Sequence, residues 1–352
     1  MVTRRPLVQV AGNIQEIPAG DTLDPAIVPP TSVSAAGSPG QVQFNNAGAL
    51  GGAANFLVSA EGDPVLKVVD GRFIPATPSA DQLVLYGFRY GSAGGRVMAA
   101  AMGPSGMDYP LQPSIWRQKI SRWNAPSGAT TVPGVDGMPA LSAGGTITSR
   151  AVATTNALTR AKRLGYVSST TAGNYAGMYQ ATAQFTLGDG TVGGFFMSCR
   201  FGVSDATLRT AARTFIGMSS AVAAPTNVDP ATLTNAIGLG HTASDTNWYI
   251  YYGGSTAQAR ISLGANFPIN NTDLLDFSLW SPSNADGVVY YHVERVTLTQ
   301  SYFAYGVLGP GTAGVTLPAN STLLAFRAWR NNNTAAAAVG LDISSIYLET
   351  DW

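Results

Sequence analysis

The sequence predicts an all-β protein in which a run of short strands precedes one large antiparallel β-sandwich. Among the 352 residues, 40 are Gly and 21 are Pro, and both residue types interrupt long helices. Only 11% of the residues are charged whereas 45% are hydrophobic, so disorder driven by charge is excluded. From about residue 121 onwards, aromatic-rich segments recur between loops of Gly, Asn, Pro and Ser, which is typical of a sandwich.

The N-terminal third contains strands without a core of their own. Residues 1–30 alternate short apolar stretches with Pro and Gly, and we expect them to form an extended arm. In residues 31–75, Val42 and Phe44 alternate with glutamines, and Asp70-Gly71 supplies the positive φ of a tight turn. Strands this short are marginal in a monomer. We therefore predict an intertwined β-rich shaft over 31–75.

A neck or junction is predicted over residues 76–115, followed by the sandwich head over residues 116–352. The neck contains a good strand from Gln82 to Tyr90, whereas the pattern of residues 96–102 fits either a short helix or a strand. The clearest predicted strands of the head are residues 177–187, 194–202, 214–219, 235–240, 247–252, 259–263, 274–280, 288–300, 323–330 and 343–349. Helical spacing occurs at residues 151–163 and at residues 205–213, where Asp205 is a plausible N-cap.

The charge balance excludes several classes of function. The 20 basic and 20 acidic residues give a net charge of zero, which argues against nucleic-acid binding because that binding needs a surplus of cations. Only three of the cations are Lys, and the Arg excess suits partly buried pairing, including pairing between subunits. One Cys and two His predict neither a disulfide nor a metal site, and no cofactor is expected. The chain contains no signal-peptide pattern and no apolar run of roughly 18 residues, so we expect synthesis in the host cytoplasm without membrane insertion.

Several segments resemble proteins of tailed bacteriophages. Arg4-Arg5-Pro6-Leu7-Val8-Gln9-Val10, continued by residues 15–23, resembles the N-terminal segment of many virion proteins, and residues 40–52 followed by Phe56 are similar to a segment of tail-fibre and tail-spike shafts. Residues 245–254, 261–268, 276–280, 331–335 and 341–351 resemble the C-terminal domains of phage fibres, which are similar in layout to concanavalin-type lectin sandwiches. The resemblance implies a trimeric fibre with a jelly-roll or concanavalin-like head. It also implies attachment to the virion through Arg4, Arg5, Leu7, Val8 and Ile17.

Two aromatic segments of the head are candidates for contact with a receptor. Along a strand, alternation sends Trp248 to one face and Tyr249 and Tyr251 to the other, so that one face is core and the other is either a sugar-stacking or a subunit-facing patch. Arg327 and Trp329 share a face that suits either a carboxylated sugar or a carboxylate of another subunit. Arg330 and Asn332, beside and within the predicted exposed loop 331–334, complete the candidates.

The titratable residues do not form a recognisable catalytic motif. A glycan hydrolase needs two suitably spaced carboxylates, for which Asp273, Asp276, Asp286 and Glu294 are available. We interpret these four as residues of turns and of the surface. His241, His292 and Cys199 lack a neighbouring nucleophile or base motif and are interpreted as structural, so no catalytic residues are predicted.

The sequence therefore predicts a non-enzymatic, homotrimeric phage fibre protein located in the virion. Its expected partners are further copies of itself, other virion proteins through residues 1–30, and a host-surface receptor, either glycan or protein, through the sandwich. Two alternatives remain open. One is a structural or decorating protein of capsid or tail that binds no receptor, and the other is a polysaccharide-degrading spike.

Overall fold

The structure is a computed structural model, and the chain divides into two compact units, Met1–Val69 and Asp70–Trp352. The described residues of the first unit are 7–10, 13–16, 41–46, 49–58 and 64–66. Those of the second unit are 78–79, 82–89, 97–102, 108–110, 119–125, 141–189, 193–256, 259–282 and 286–350.

The first unit contains two small antiparallel sheets. Strand β1 (Leu7–Val10) pairs with β2 (Asn13–Glu16), and β3 (Gln41–Asn46), β4 (Ala49–Val58) and β5 (Pro64–Leu66) follow one another in a three-stranded sheet. The strand predicted around Val42 and Phe44 is confirmed as β3. Of the predicted anchoring residues, Leu7 and Val8 lie in β1, whereas Arg4, Arg5 and Ile17 lie outside the described residues.

The second unit begins with a three-stranded meander of β6 (Val84–Arg89), β7 (Val97–Met102) and β8 (Asp108–Pro110). The strand predicted over residues 82–90 is confirmed as β6. Within residues 96–102, for which the sequence left helix and strand open, Val97–Met102 form β7, and every residue of β6 has a partner in this strand.

Two antiparallel sheets form the sandwich of the second unit. In spatial order, the seven-stranded sheet consists of β10 (Leu141–Gly144), β13 (Tyr175–Gln180), β22 (Ala325–Asn331), β15 (Arg213–Ser219), β16 (Ala236–His241), β17 (Tyr249–Gly253) and β18 (Ala259–Ser262). The eight-stranded sheet consists of β11 (Thr146–Arg150), β12 (Arg163–Val167), β23 (Gly340–Thr350), β14 (Phe195–Val203), β19 (Leu274–Ser281), β20 (Val289–Val296) and β21 (Ser301–Leu308), with β9 (Lys119–Asn124) paired to the C-terminal half of β23. The predicted all-β class with an antiparallel sandwich is confirmed.

The main hydrophobic core lies between these sheets and follows the two-residue period of strands. In β14, the buried side chains Met197, Cys199 and Phe201 alternate with the half-buried Ser198 and Arg200. The facing sheet contributes Ile216, Ile250 and Ala328, among others.

Of the two segments with helical spacing, which were expected to be minor decorations of loops, one contains a single helical turn and the other contains no helix. Within residues 151–163, α1 (Ala157–Arg160) is one turn that starts at a capping box between Asn156 and Thr159, and the chain then enters β12, which pairs with β11 and β23. Residues 205–213 contain no helix. The Asp205 carboxylate accepts a backbone hydrogen bond from Arg209 and also pairs with the buried Arg330. No helix among the described residues has the length and apolar character needed to cross a membrane.

Candidate functional site

A second aromatic cluster lies on the seven-stranded sheet, on the side turned away from the main core. Phe215, Tyr251 and Trp329 pack together there, whereas Ile216 and Ile250, which follow or precede them along β15 and β17, belong to the main core. Strand alternation explains the separation, since successive side chains point to opposite sides of a sheet. We call this surface the outer aromatic face. Its members are Tyr175, Tyr179, Phe215, Tyr249, Tyr251, Arg260, Arg327 and Trp329.

Strand register places these side chains in rows across the sheet. Tyr179 stands opposite Arg327, and Tyr251 stands opposite Arg260 on the far side. Gly238 lies on β16, between the Tyr179–Arg327 pair and the Tyr251–Arg260 pair. A Cβ at this position would come within 2.7 Å of the Phe215 ring. Glycine on β16 therefore gives the aromatic ring of the neighbouring strand room to lie across the sheet.

The connection between β15 and β16, residues 220–235, covers the centre of the outer aromatic face. Ala231 and Leu233 pack against the cluster, and the carbonyl oxygen of Ala223 accepts a hydrogen bond from Arg327 Nη2 at 2.6 Å. Phe215 and Tyr251 are consequently fully buried. The tyrosines at the two ends of the face, at positions 175, 179 and 249, remain partly exposed.

At one end of the face, a carboxylate holds a cation beside an aromatic ring. Asp245 accepts hydrogen bonds from the Thr242 N–H at 2.7 Å, from the Tyr251 hydroxyl at 3.1 Å and from Arg260 Nη1 at 2.9 Å. Burial alone would raise the pKa of Asp245, but these hydrogen bonds and the Arg260 charge outweigh it and hold the pKa below its ordinary value. The Arg260 guanidinium lies 4.4 Å from the centroid of the Tyr249 ring, so a solvent-facing cation is fixed over an aromatic plane.

At the other end, Arg327 is a buried cation without a carboxylate partner among the described residues. Its residue surface is 5% exposed, its Nε makes no hydrogen bond, and its guanidinium lies 5.9 Å from the centroid of the Tyr179 ring. Burial lowers the pKa of Arg327, an effect that Tyr175 and Tyr179 oppose. Since buried charges are normally paired, this guanidinium is an unusual feature of the sheet.

Four of the seven predicted receptor-contact residues, Tyr249, Tyr251, Arg327 and Trp329, lie together on the outer aromatic face, where Tyr249 is partly exposed and the other three are buried. The prediction that Tyr249 shares a face with Tyr251, and Arg327 with Trp329, is therefore correct. Trp248, in contrast, belongs to the main core, where its ring meets the edges of Phe201 and His241.

The structure corrects the surface assignments of Arg330 and Asn332, because both are buried. Arg330 is 0% exposed and points into the sandwich. Asn332 is buried in the loop that was predicted to be exposed, and its side-chain amide donates hydrogen bonds to the carbonyl oxygens of Ser169, Thr171 and Ala337. The side-chain nitrogen of Asn332 thus links the loop before β13 to the loop before β23.

The buried Arg330 organises a polar network at the edge of the core. Its Nη2 and Nε donate to the two carboxylate oxygens of Asp205, at 2.6 and 3.0 Å, and its Nη1 lies 2.8 Å from Thr214 Oγ1 and 2.9 Å from His241 Nε2. His241 Nδ1 lies 3.0 Å from the Thr242 carbonyl oxygen, so the ring is neutral, with its proton on Nδ1. Burial, followed by the Arg330 charge, lowers the pKa of His241 to about 3. The structural interpretation of His241 is supported.

Cys199 is expected to be unreactive in the folded protein. Burial, followed by the charge of Asp276, raises the pKa of its thiol well above the ordinary value, and only the thiolate is nucleophilic. Ellman's reagent at pH 8 should therefore modify no thiol in the native chain and the single Cys199 thiol after unfolding in urea. Rapid modification of the native chain would contradict this assignment.

Two of the four carboxylates considered for catalysis, Asp273 and Asp276, are paired with arginines of the chain. Asp273 pairs with Arg295, and Asp276 accepts hydrogen bonds from Ser198 Oγ at 3.2 Å and from Arg200 Nε at 3.0 Å. Glu294 stands directly opposite Asp276 in the pairing of β19 with β20, and Asp286 lies exposed before Gly287. Within the described residues, no group of three or more His, Cys, Asp or Glu side chains is arranged to hold a metal ion.

Sequence reasoning missed Tyr175, Tyr179, Asp245 and Arg260 as members or supports of the outer aromatic face. Arg260 lies in a correctly predicted strand, and strand alternation from Tyr251 through their pairing places it on the same side. The long-range pairing of β13 with β22 brings Tyr179 to Arg327, and no local pattern indicates that pairing.

No protein-family model matches the chain, and no curated protein matches its sequence. Among solved structures, lectin II from Ulex europaeus is similar with a TM-score of 0.43 and 11% identity, over 67% of this chain and 100% of that chain. Arcelin-5, a lectin-like defence protein from Phaseolus vulgaris, gives a TM-score of 0.41 and 9% identity, over 66% and 98%. A carbohydrate esterase from the Shiga toxin-encoding bacteriophage phi24B gives a TM-score of 0.34 and 16% identity, over 66% and 97%. The fold assignment itself rests on the strand pairing of this chain.

Proposed function

We propose that the protein is a non-enzymatic, homotrimeric fibre protein of a phage virion, and that its sandwich binds an acidic glycan of the host surface through the outer aromatic face. The resemblance of residues 4–23 and 40–56 to phage virion and fibre-shaft segments supports the virion. The single observation that carries glycan binding is Arg327, a buried guanidinium without a carboxylate partner in the described residues, beside two partly exposed tyrosines.

The chemistry of these three side chains matches that of a carboxylated sugar. The apolar side of a sugar ring stacks on an aromatic plane, and Tyr179 and Tyr175 provide such planes at the edge of the face. A guanidinium binds a carboxylate through a planar fork of N–H donors, and Arg327 uses only Nη2 for a hydrogen bond within the described chain. At the opposite end, Arg260 over Tyr249 repeats the pairing of a cation with an aromatic ring.

The experiment is a binding measurement with an acidic polysaccharide and its neutral counterpart. Full-length protein is titrated by biolayer interferometry on immobilised polygalacturonate and on the same polymer after methyl esterification. We expect binding to the acidic polymer, weakened roughly tenfold or more by Arg327→Gln, since a hydrogen bond to a charged group contributes about 1.5–3 kcal/mol. Tyr179→Ala should weaken it by a similar factor, because stacking is lost.

Arg200→Gln is the matched control. It removes the same charge from the other sheet of the sandwich, where Arg200 pairs with Asp276, and it should leave glycan binding unchanged. Equal loss in Arg327→Gln and Arg200→Gln would reduce the effect to net charge and refute a site on the outer aromatic face. Absence of binding to acidic glycans and to host cells would favour a structural or decorating role in the virion.

Trimer formation has its own test. Light scattering on the full-length chain should give three times the 36.5 kDa mass of one chain. A monomer in solution would contradict the trimer. A cryo-EM map of the virion would locate residues 1–30 and distinguish attachment to the tail from attachment to the capsid.

Cleavage of the polysaccharide is the second candidate function, and the opposition of Asp276 and Glu294 across β19 and β20 favours it. Directly opposite residues of an antiparallel pair have Cα atoms about 4.5–5.5 Å apart, a distance that brings two carboxylates close together. The contacts of Asp276 with Arg200 and Ser198 oppose this function, because they already occupy both oxygens of its carboxylate. Release of oligosaccharides from host polysaccharide, abolished by Asp276→Asn, would establish cleavage.

A further inference from the structure

A polar cavity of about 410 Å³ opens at the side of the sandwich, away from the residues of the outer aromatic face. It lies where the end of β11 and the start of β12 meet the start of β23 and the loop that follows β14. Its polar lining consists of Arg150, Thr159, Arg163, Ser204, Asp205, Asn271 and Asp342. The volume lies within the roughly 300–1,000 Å³ typical of sites for small ligands.

The lining carries one more cation than its own carboxylates neutralise. Asp205 is paired with Arg330 at 2.6 Å, which leaves Asp342 as the carboxylate for Arg150 and Arg163 within the described lining. Asp342 Oδ2 lies 2.8 Å from Arg163 Nε and 3.4 Å from Arg150 Nε. Two guanidinium groups therefore share one carboxylate, and a single positive charge remains.

Both guanidinium groups keep donors that the described chain does not use. Arg163 donates from Nε to Asp342 and from Nη1 to the carbonyl oxygens of residues 151, 159 and 161, whereas its Nη2 makes no hydrogen bond there. Arg150 is held only through its ion pair with Asp342, and neither of its Nη atoms donates within the described residues. The Arg150 side chain is 29% exposed, so these donors are accessible from solvent.

The backbone leaves room for this arrangement at Gly165. A Cβ at Gly165 would collide with Arg150 Nε and would lie 2.7 Å from Asp342 Oδ1. A larger residue at position 165 would therefore push Arg150 away from Asp342. Asn271 adds a neutral polar group to the lining, since its Nδ2 donates to the Asp205 carbonyl oxygen while its Oδ1 accepts no hydrogen bond within the described residues.

We propose that this cavity binds the carboxylate of a small acidic ligand such as a uronic acid, with Arg150 and Arg163 as the carboxylate donors. The surplus of one positive charge matches a monoanion, and the planar fork of Arg150 suits a carboxylate. Asn271 Oδ1 accepts a hydrogen bond from a hydroxyl group of the same ligand. The site is independent of the proposed glycan-binding face, since no residue of that face lines the cavity.

The test is calorimetric titration of full-length protein carrying Arg327→Gln, which removes the acidic-sugar contact proposed for the outer aromatic face. Galacturonate should bind at millimolar concentrations, whereas galactose and the methyl ester of galacturonate should not. Arg150→Gln should weaken galacturonate binding at least tenfold, which corresponds to about 1.4 kcal/mol. Arg150→Lys, which keeps the charge and loses the fork, should retain part of the affinity and serves if Arg150→Gln misfolds.

Arg160→Gln is the matched control, because Arg160 is exposed on α1 and does not line the cavity. It should leave galacturonate affinity unchanged. The proposal is overturned by the absence of galacturonate binding, by equal binding of galactose, or by equal loss in Arg160→Gln and Arg150→Gln. Tighter binding of inorganic phosphate than of galacturonate would overturn the assignment to a carboxylate. Each result is obtained without the Arg327 contact, so it stands apart from the test of the proposed function.

Discussion

An Arg330→Met variant is expected to lose about 3–5 kcal/mol of its free energy of unfolding, because removal of one partner from a buried ion pair leaves the other charge uncompensated. Arg330 is 0% exposed, and Asp205, its partner at 2.6 Å, is also buried. Met keeps much of the aliphatic volume, so the loss reports the charge and its hydrogen bonds rather than a large cavity. Thr214 and His241 lose a hydrogen-bond partner in the same step.

Urea unfolding followed by tryptophan fluorescence measures this loss, and Arg200→Met provides the control. Arg200 pairs with Asp276 at 2.9 Å, but its side chain is 42% exposed. Exposed ion pairs contribute about 0.2–1 kcal/mol, so the control should change stability by no more than that. If both variants lost the same small amount, the buried pair would have no special role in stability. Asp205→Asn removes the other charge of the pair and should approach the loss seen in Arg330→Met.

The strands that the sequence predicted correctly are those whose side chains alternate clearly or form long apolar runs. Residues 194–202 and 274–280 correspond to β14 and β19 in the middle of the eight-stranded sheet. In contrast, β12, which begins at the last residue of the segment with helical spacing, was not predicted, and it is a strand because β11 and β23 pair with it on both sides. β21 was also missed, although it pairs with β20, the strand that directly precedes it. For β12, one of the two partners, β23, is distant in sequence, and local propensity does not contain such a pairing.

The sequence predicted which residues of the candidate site share a face of their strand, but not which of the two faces packs against the second sheet. Alternation correctly grouped Tyr249 with Tyr251, and Arg327 with Trp329. Both faces of these strands carry aromatic or long side chains, so the sequence does not determine which face packs against the second sheet. For the same reason Arg330 was assigned to the surface, although it lies on the inward parity next to Asp205. The partner that buries it is 125 positions away in the chain.

The contact of Arg330 with His241 also affects stability in acid. Between pH 7 and pH 4, the free energy of unfolding of the wild-type chain is expected to fall by about 3 kcal/mol more than that of His241→Gln. Burial and the Arg330 charge lower the pKa of folded His241 to about 3, whereas the ordinary pKa of histidine, taken for the unfolded chain, is 6.5. Between these two values the unfolded chain binds a proton that the folded chain does not bind. Stability therefore falls as the pH falls through this window, by about 1.4 kcal/mol per pH unit.

Urea unfolding of both proteins at half-unit intervals from pH 7 to pH 4 isolates the His241 contribution. Glutamine can accept from Arg330 Nη1 and donate to the Thr242 carbonyl oxygen, but it does not titrate. His292, whose pKa burial also lowers, is present in both proteins and cancels in the difference. Asp245, with a lowered pKa, contributes mainly below its ordinary value of 3.8, outside the measured range. Parallel pH profiles for the two proteins would mean that His241 titrates alike in the folded and unfolded chains, which its contact with Arg330 inside the sandwich does not allow.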